Sequence, residues 1–144
     1  MSQSYKSSSN AVYSLKLHIV FVTKYRRKTL TPALLSFLGD AFDKILSDWN
    51  CTLIEFGGEA DHVHLLVDIH PALDISVLMN NLKTASARRA NSVFAEHLAG
   101  FYGKPTFWHR AYFVASVGST SLDTIKKYVE QQGTKEKPRK SASS

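Results

Sequence analysis

The sequence has little of what secreted and membrane proteins use for cross-linking and anchoring. Its single cysteine, Cys51, excludes an intramolecular disulfide and a multi-cysteine zinc site. No apolar run approaches the roughly 18 residues that a membrane span requires, and the Ser-rich segment 1–10 has no hydrophobic signal core. Charged residues make up only 21% of the chain, which is too few for a disordered protein. We therefore expect a soluble, cytoplasmic protein with no membrane partner.

What the sequence does contain is enough apolar residues for a core, together with an excess of positive charge. Its 144 residues, 44% of them hydrophobic, suit one compact domain. Lysine and arginine outnumber aspartate and glutamate by 18 to 12, so the net charge is +6. This charge admits an anionic partner without identifying it, and a basic cluster is also typical of a solvated surface. One such cluster surrounds Tyr25 and consists of Lys24, Arg26, Arg27 and Lys28.

Hydrophobic periodicity and turn signals predict an alternation of strands and helices. The predicted strands are 12–24, 51–56, 62–69 and 111–117, with Gly57–Gly58 as the turn that ends the second strand. The predicted helices run from 32 to near 50, from 75 to between 91 and 99, and from 119 to 132. Thr31 and Asp74 are predicted to cap the first two helices.

The first six elements have the order of the ferredoxin-like split βαβ fold, an α+β class in which two helices cover one face of an antiparallel sheet. The extra C-terminal helix follows this unit. We predict a flexible N-terminus at 1–11, a single domain at 12–132 and a disordered basic tail at 133–144.

The sharpest local signal is Asp61-His62-Val63-His64, which opens the third predicted strand. Alternation places both imidazoles on the sheet face without helices, roughly 6.5–7 Å apart, so that they can converge on one ion. By ligand preference such a pair suits borderline metals such as Zn²⁺, Ni²⁺ or Mn²⁺. The alternative is two ordinary polar residues on a solvated strand. Asp61 is placed either to orient an imidazole or simply to close the turn.

The final predicted helix contributes two further polar residues, Tyr128 and Gln132. They are four positions apart, and therefore project from one helix face. A tyrosine hydroxyl can act as a covalent nucleophile, and a glutamine oxygen can bind a hard cation. Taken alone, Tyr128 is better explained as a packing residue beside Ile125 and Val129. Nothing in the spacing brings this helix to the histidines.

In combination, these motifs resemble the single-tyrosine HUH transposases of small bacterial insertion sequences. The resemblance rests on His62-Val63-His64 and on the segment 128–132, and it covers about residues 12–132. One departure is Thr84, where many relatives have glycine after the lysine. Other matching positions follow the family's order along the chain, namely 18–21, 24–27, Lys83, 86–88, Trp108, 112–113 and Gly118.

The resemblance implies a transposase that cleaves and rejoins single-stranded DNA. Tyr128 would attack a phosphodiester and retain the strand as a 5′-phosphotyrosine, without a nucleotide cofactor. His62, His64 and Gln132 would hold a divalent cation, Mg²⁺ or Mn²⁺. The substrate would be DNA with hairpins at the ends of an insertion sequence, in a bacterial or archaeal nucleoid. The phosphate contacts implied for it are Lys24, Arg26, Arg27, Lys28, Lys83 and Arg88.

The resemblance also implies a homodimer, in which the tyrosine helix of one subunit can serve the histidines of the other. Two alternative functions stay open. A non-catalytic ferredoxin-like nucleic-acid-binding module would explain the basic residues, but it has no need of Tyr128, the histidine pair and Gln132. A domesticated nuclease of the same family would process chromosomal repeats with identical chemistry.

Overall fold

The computed structural model describes residues 6–8, 11–13, 15–117 and 122–132. These residues form a ferredoxin-like α+β fold, which confirms the predicted class. Four strands make an antiparallel sheet in the order β4-β5-β3-β6, and β1 and β2 form a separate hairpin. No helix in the described ranges is long and apolar enough to cross a membrane. The elements are β1 (Lys6–Ser8), β2 (Ala11–Tyr13), β3 (Leu15–Val22), α1 (Pro32–Asp48), β4 (Thr52–Glu59), β5 (His62–Ile69), α2 (Ile75–Val93), α3 (Ala95–Ala99), β6 (Phe113–Ser116) and α4 (Leu122–Gln131).

The main core lies between this sheet and the helices α1 and α2. Alternation along β3 and β5 sends one set of side chains into this core, because successive residues of a strand face opposite sides. The large aromatic residues of the core are Phe21, Phe42 and Phe107, all almost completely buried. The strand residues that face the helices are Leu17, Ile19, Phe21, Val63, Leu65 and Val67.

Both predicted helix caps are confirmed. The Thr31 hydroxyl accepts a hydrogen bond from the Leu34 amide at 3.2 Å, and Pro32 follows it at the first helical position. The Asp74 carboxylate accepts from the Val77 amide at 3.2 Å. These bonds satisfy amides that have no partner inside a helix, and they fix where α1 and α2 begin.

The first predicted strand, 12–24, extends too far at its C-terminal end, and its first residues belong to β2 and not to β3. The chain forms two strands there, since β2 ends at Tyr13 and β3 runs from Leu15 to Val22. After β3 the chain enters a 3₁₀ turn at Lys24–Arg26, in which Tyr25 and Arg26 have φ of 58° and 54°. The hairpin β1–β2 is a feature that the periodicity did not predict.

The predicted glycine turn is also wrong, because β4 continues through Gly57 and Gly58 to Glu59. Gly58 instead allows β4 to lie close to β5 and to helix α1. A Cβ there would lie 2.6 Å from the His62 carbonyl oxygen and 2.9 Å from the Leu35 side chain. Gly57 pairs with His64, and a Cβ at Gly57 would have no heavy atom within 4 Å.

Strand β6 is shorter than the predicted 111–117, since it ends at Ser116, and α4 ends at Gln131, one residue before the predicted end. Strand β6 begins at Phe113 and helix α4 at Leu122, while 118–121 and the predicted disordered tail 133–144 lie outside the described residues.

Candidate active site

The two histidines of β5 share a sheet face with helix α4. His62 is paired with Val22 of β3 and His64 with Val20, and directly opposed residues of antiparallel strands project from the same face. Ile125 and Val129 of α4 bury themselves against Val20 and Val22 in a second, smaller hydrophobic cluster. The sequence predicted this face to be open, and in the structure α4 covers part of it.

Tyr128 lies in this second cluster, with its ring centroid 5.4 Å from that of Phe113. Its hydroxyl oxygen is buried and has no hydrogen-bond partner among the described residues. Burial raises the pKa of Tyr128 to about 12, because the charged phenolate is disfavoured away from water. The side chain is therefore held as a neutral phenol on the histidine face.

The Asp61 carboxylate orients the His62 ring by a hydrogen bond with one of the ring nitrogens. The Asp61 Oδ1 atom lies 2.9 Å from His62 Nδ1, and a carboxylate can only accept here, so Nδ1–H is the donor. This arrangement leaves the lone pair of His62 on Nε2, where it is free to bind an ion.

His64 is contacted by a third histidine, His18 of β3. His18 Nδ1 lies 3.0 Å from His64 Nε2, and the two rings stack with centroids 5.2 Å apart. Burial lowers the pKa of His64, and the neighbouring His18 lowers it further. His64 is consequently a neutral imidazole at pH 7, which is the form that binds metal ions.

Gln132 follows the last turn of α4, and its side chain reaches His109. Its Oε1 atom accepts a hydrogen bond from His109 Nε2 at 2.6 Å, and His109 is itself buried. An amide oxygen has two lone pairs, so this bond leaves one of them for a cation.

The donor set of His62, His64 and Gln132 fits a divalent ion in chemical type, with two imidazoles and one amide oxygen. Within the described ranges, no three His, Cys, Asp or Glu residues are arranged to hold a metal ion.

The basic residues named in the sequence analysis lie in different surroundings. The Arg27 guanidinium donates to the Phe101 carbonyl and lies over the Tyr25 and Tyr102 rings. The Lys24 ammonium lies 5.3 Å from the Tyr25 ring centroid. Lys28 is exposed. Arg26 contacts Asp61 and the end of α4.

The two remaining cations are on helix α2, in the layer that covers the opposite face of the sheet. Lys83 donates to the Arg110 carbonyl and lies 5.9 Å from the Tyr112 ring centroid. Arg88 is exposed. The six cations therefore do not form one continuous surface, and their role in DNA binding stays a prediction.

His18 and His109 contact the predicted site residues, and neither was named as a site residue from the sequence. The available signal for His18 was its position in β3, because alternation places it on the same face as Val20 and Val22. Its contact with His64 depends on the strand register, which the sequence does not give. His109 lies in an irregular segment with no periodicity to read.

Comparisons with known proteins agree with this architecture. A family model described as "Transposase IS200 like" matches residues 11–132. The chain is 32% identical over 127 residues to the transposase for insertion sequence element IS200 of Salmonella typhimurium, covering 88% of this chain and 82% of that protein. It is 30% identical over 131 residues to the ISDra2 transposase TnpA of Deinococcus radiodurans, covering 91% and 93% of the two chains.

Solved structures give the same result for the fold. The crystal structure of a candidate transposase from Deinococcus radiodurans R1 superposes with a TM-score of 0.81 at 30% identity, covering 89% of this chain and 98% of that chain. A REP-associated tyrosine transposase bound to a REP hairpin gives a TM-score of 0.53 at 13% identity, with coverage of 86% and 69%, and supports the fold alone. The family match spans nearly the whole domain, and so the chain belongs to the IS200-like transposases.

Proposed function

We propose that this transposase cleaves and rejoins single-stranded DNA through a covalent bond to Tyr128, with His62 and His64 holding a divalent cation. The observation that carries the proposal is the docking of α4 on the sheet face that bears both histidines. A buried tyrosine hydroxyl with no partner among the described residues and the two imidazoles proposed to bind the cation therefore lie on one face of the sheet. A non-catalytic nucleic-acid-binding module has no use for this combination.

In the proposed reaction, the Tyr128 oxygen attacks the phosphorus of one phosphodiester. The bond from phosphorus to the 3′ oxygen breaks as the bond to the tyrosine oxygen forms, which leaves a 5′-phosphotyrosine and a free 3′-hydroxyl. A 3′-hydroxyl of another strand can reverse the step and release the tyrosine. Because the phosphodiester energy is kept in the covalent bond, no nucleotide cofactor is needed.

The attack requires that the Tyr128 phenol lose its proton, and the pKa of about 12 makes this loss unfavourable near neutral pH. The leaving 3′ oxygen requires a proton in return. Tyr128 Oη makes no hydrogen bond to a base among the described residues. We infer that the proton leaves through the bound substrate or through water admitted with it.

Three side chains are proposed to hold the cation, namely His62 Nε2, the free imidazole nitrogen of His64 and Gln132 Oε1. A cation with open coordination positions supplies Lewis acidity and orientation to the scissile phosphate. Mg²⁺ or Mn²⁺ is the proposed ion, and of these two ions the imidazole ligands favour Mn²⁺. Asp61 fixes the His62 ring by accepting from its Nδ1.

The decisive experiment incubates the purified protein with labelled single-stranded hairpin DNA and Mn²⁺ or Mg²⁺, and then looks for an SDS-resistant adduct. The hairpin form of the substrate follows the REP-hairpin complex of the structural neighbour, which shares only the fold with this chain. We expect an adduct that is lost with EDTA, with Tyr128→Phe and with His64→Ala.

Two matched variants control for nonspecific damage. Tyr112→Phe removes a hydroxyl from a tyrosine that packs on the opposite face of the sheet, beside Phe21. His70→Ala removes an imidazole from beyond the far end of β5, where it contacts the Trp49 carbonyl. Both should keep the adduct. An adduct that survives Tyr128→Phe would refute the nucleophile, and tight hairpin binding without any cleavage would identify a binding module.

A further inference from the structure

The Arg26 guanidinium connects His62 of the histidine pair, through Asp61, to helix α4. Arg26 Nε donates to Asp61 Oδ2 at 3.0 Å, and the second oxygen of that carboxylate accepts from His62 Nδ1 at 2.9 Å. The Asp61 side chain is only 13% exposed, so both bonds are largely shielded from water. The His62 ring is therefore oriented by a carboxylate that Arg26 in turn holds in place.

The same guanidinium also contacts the helix that carries the nucleophile. Arg26 Nη1 donates to the backbone carbonyls of Val129 and Glu130 at 3.4 and 3.1 Å. These residues follow Tyr128 directly in the last turn of α4, where carbonyl groups lack the amide four residues further on. The Val129 carbonyl also accepts from the Gln132 amide at 3.3 Å. A positive charge at this end also interacts favourably with the helix dipole.

The turn that presents Arg26 is strained and firmly held. Tyr25 and Arg26 both have positive φ, which is unfavourable for residues with a Cβ and persists only where neighbouring contacts enforce it. Buried Thr23 supplies those contacts. Its amide donates to the Asp61 carbonyl at 3.0 Å, and its hydroxyl lies 2.6 Å from the Arg27 carbonyl. The turn is thus tied to the residue that orients His62.

We propose that Arg26 is a positioning residue that aligns helix α4, and with it Tyr128, relative to His62. This inference rests on the proposed function, and it assigns Arg26 a role other than the phosphate contact expected from its basic neighbours. A planar guanidinium can donate to a carboxylate and to two carbonyls at once. A lysine ammonium is a single point of charge and cannot reproduce that fork.

The first test compares chemistry with DNA binding. In Arg26→Lys, we expect the single-turnover rate of adduct formation at saturating hairpin DNA to fall at least tenfold, with DNA affinity and its salt dependence changed less than twofold. Lys28→Ala, from the same basic cluster, should instead lower affinity and its salt dependence. Lys44→Ala is the neutral control, because Lys44 lies on α1 in an ion pair with Asp48 at 3.1 Å.

The second test does not depend on catalysis. Amide hydrogen exchange of the peptide that covers 122–132 should be at least tenfold faster in Arg26→Lys and Arg26→Ala than in the native protein. Exchange in β3 and β5 should be unchanged in Arg26→Lys, which separates local release of α4 from unfolding. Lys44→Ala should leave both regions as they are.

The two tests separate this proposal from the proposed function. If the native protein forms no adduct with any hairpin, the proposed function fails, and the exchange measurement alone decides whether Arg26 holds α4. Unchanged exchange of α4 in both Arg26 variants would overturn the positioning role. So would full activity of Arg26→Lys combined with a loss of affinity in Arg26→Ala, which is the behaviour of a phosphate contact.

Discussion

At the scale of single residues, the site contains a cost to stability that the proposed chemistry would explain. The Tyr128 hydroxyl is buried without a partner among the described residues, and leaving a buried polar group unpaired costs roughly 1–3 kcal/mol. A nucleophile must keep its reactive atom free for the substrate. The orphaned hydroxyl is therefore what we expect of a residue retained for reaction and not for packing.

Tyr128→Phe should accordingly raise stability while it abolishes adduct formation. Removal of the unpaired hydroxyl keeps the ring packed against Phe113, so we expect the free energy of unfolding to rise by about 1 kcal/mol. Urea denaturation of both proteins measures this change. A loss of stability would show that the hydroxyl has a partner in solution and is not orphaned.

The pH dependence of adduct formation should reflect the raised pKa of Tyr128. With a pKa of about 12, only roughly one molecule in ten thousand carries the phenolate at pH 8. If the phenolate attacks, the single-turnover rate should increase about tenfold per pH unit between pH 7 and 9. Quenched time courses at saturating DNA test this, and a flat profile would show that the proton is removed by another group at the site.

At the scale of secondary-structure elements, strand β4 has two adjacent glycines that differ in the space available for a side chain. A methyl group at Gly58 would press on the backbone of β5 beside His62, whereas one at Gly57 would enter open space on the histidine face. Both positions read as a turn in the sequence, because paired glycines are typical of turns. The close approach of two strands, which made glycine necessary, is a tertiary property that sequence pattern does not report.

Alanine substitutions should separate the two glycines. Gly58→Ala forces atoms apart at 2.6 and 2.9 Å, and such overpacking typically costs about 1–3 kcal/mol. Gly57→Ala meets no heavy atom within 4 Å, so its effect should stay within about 0.5 kcal/mol. Chemical denaturation of the pair measures the difference. Equal losses in both variants would mean that strand propensity, and not the close contact, sets the requirement for glycine.

The elements that sequence predicted best are those with strong local signals. The caps at Thr31 and Asp74 were predictable because each depends on one side chain and an amide three residues away. The contact between His18 and His64 was not, because their separation of 46 positions depends on strand register. The docking of α4 was also beyond the sequence, since an amphipathic helix does not indicate which surface it covers.

At the scale of the whole molecule, the six cations named in the sequence analysis are spread over both layers of the fold. Several of the named cations donate to backbone carbonyls, as Arg27 and Lys83 do, and Arg27, Lys28 and Arg88 are exposed. The net charge of +6 therefore overstates the charge available to a partner at any one surface. It predicts an anionic partner, but it does not locate the contact.

Salt titration of hairpin binding should count the phosphate contacts. For single strands, the logarithm of the binding constant falls with the logarithm of salt concentration by about 0.7 per contact. Lys28→Ala and Arg88→Ala should each reduce the slope by about that amount, and Lys44→Ala should leave it unchanged. A native slope that none of these variants alters would place the DNA elsewhere on the surface.

The two hydrophobic clusters differ in size, and this difference affects both local opening of the native state and the effects of substitutions. The sheet, α1 and α2 enclose an extensive core, whereas α4 rests on a few side chains around Val20 and Val22. Cooperative units with few buried contacts open first in the native state. Substitutions in the main core should therefore change the amount of folded protein that a cell accumulates. Substitutions beneath α4 should instead change the catalytic rate of each molecule.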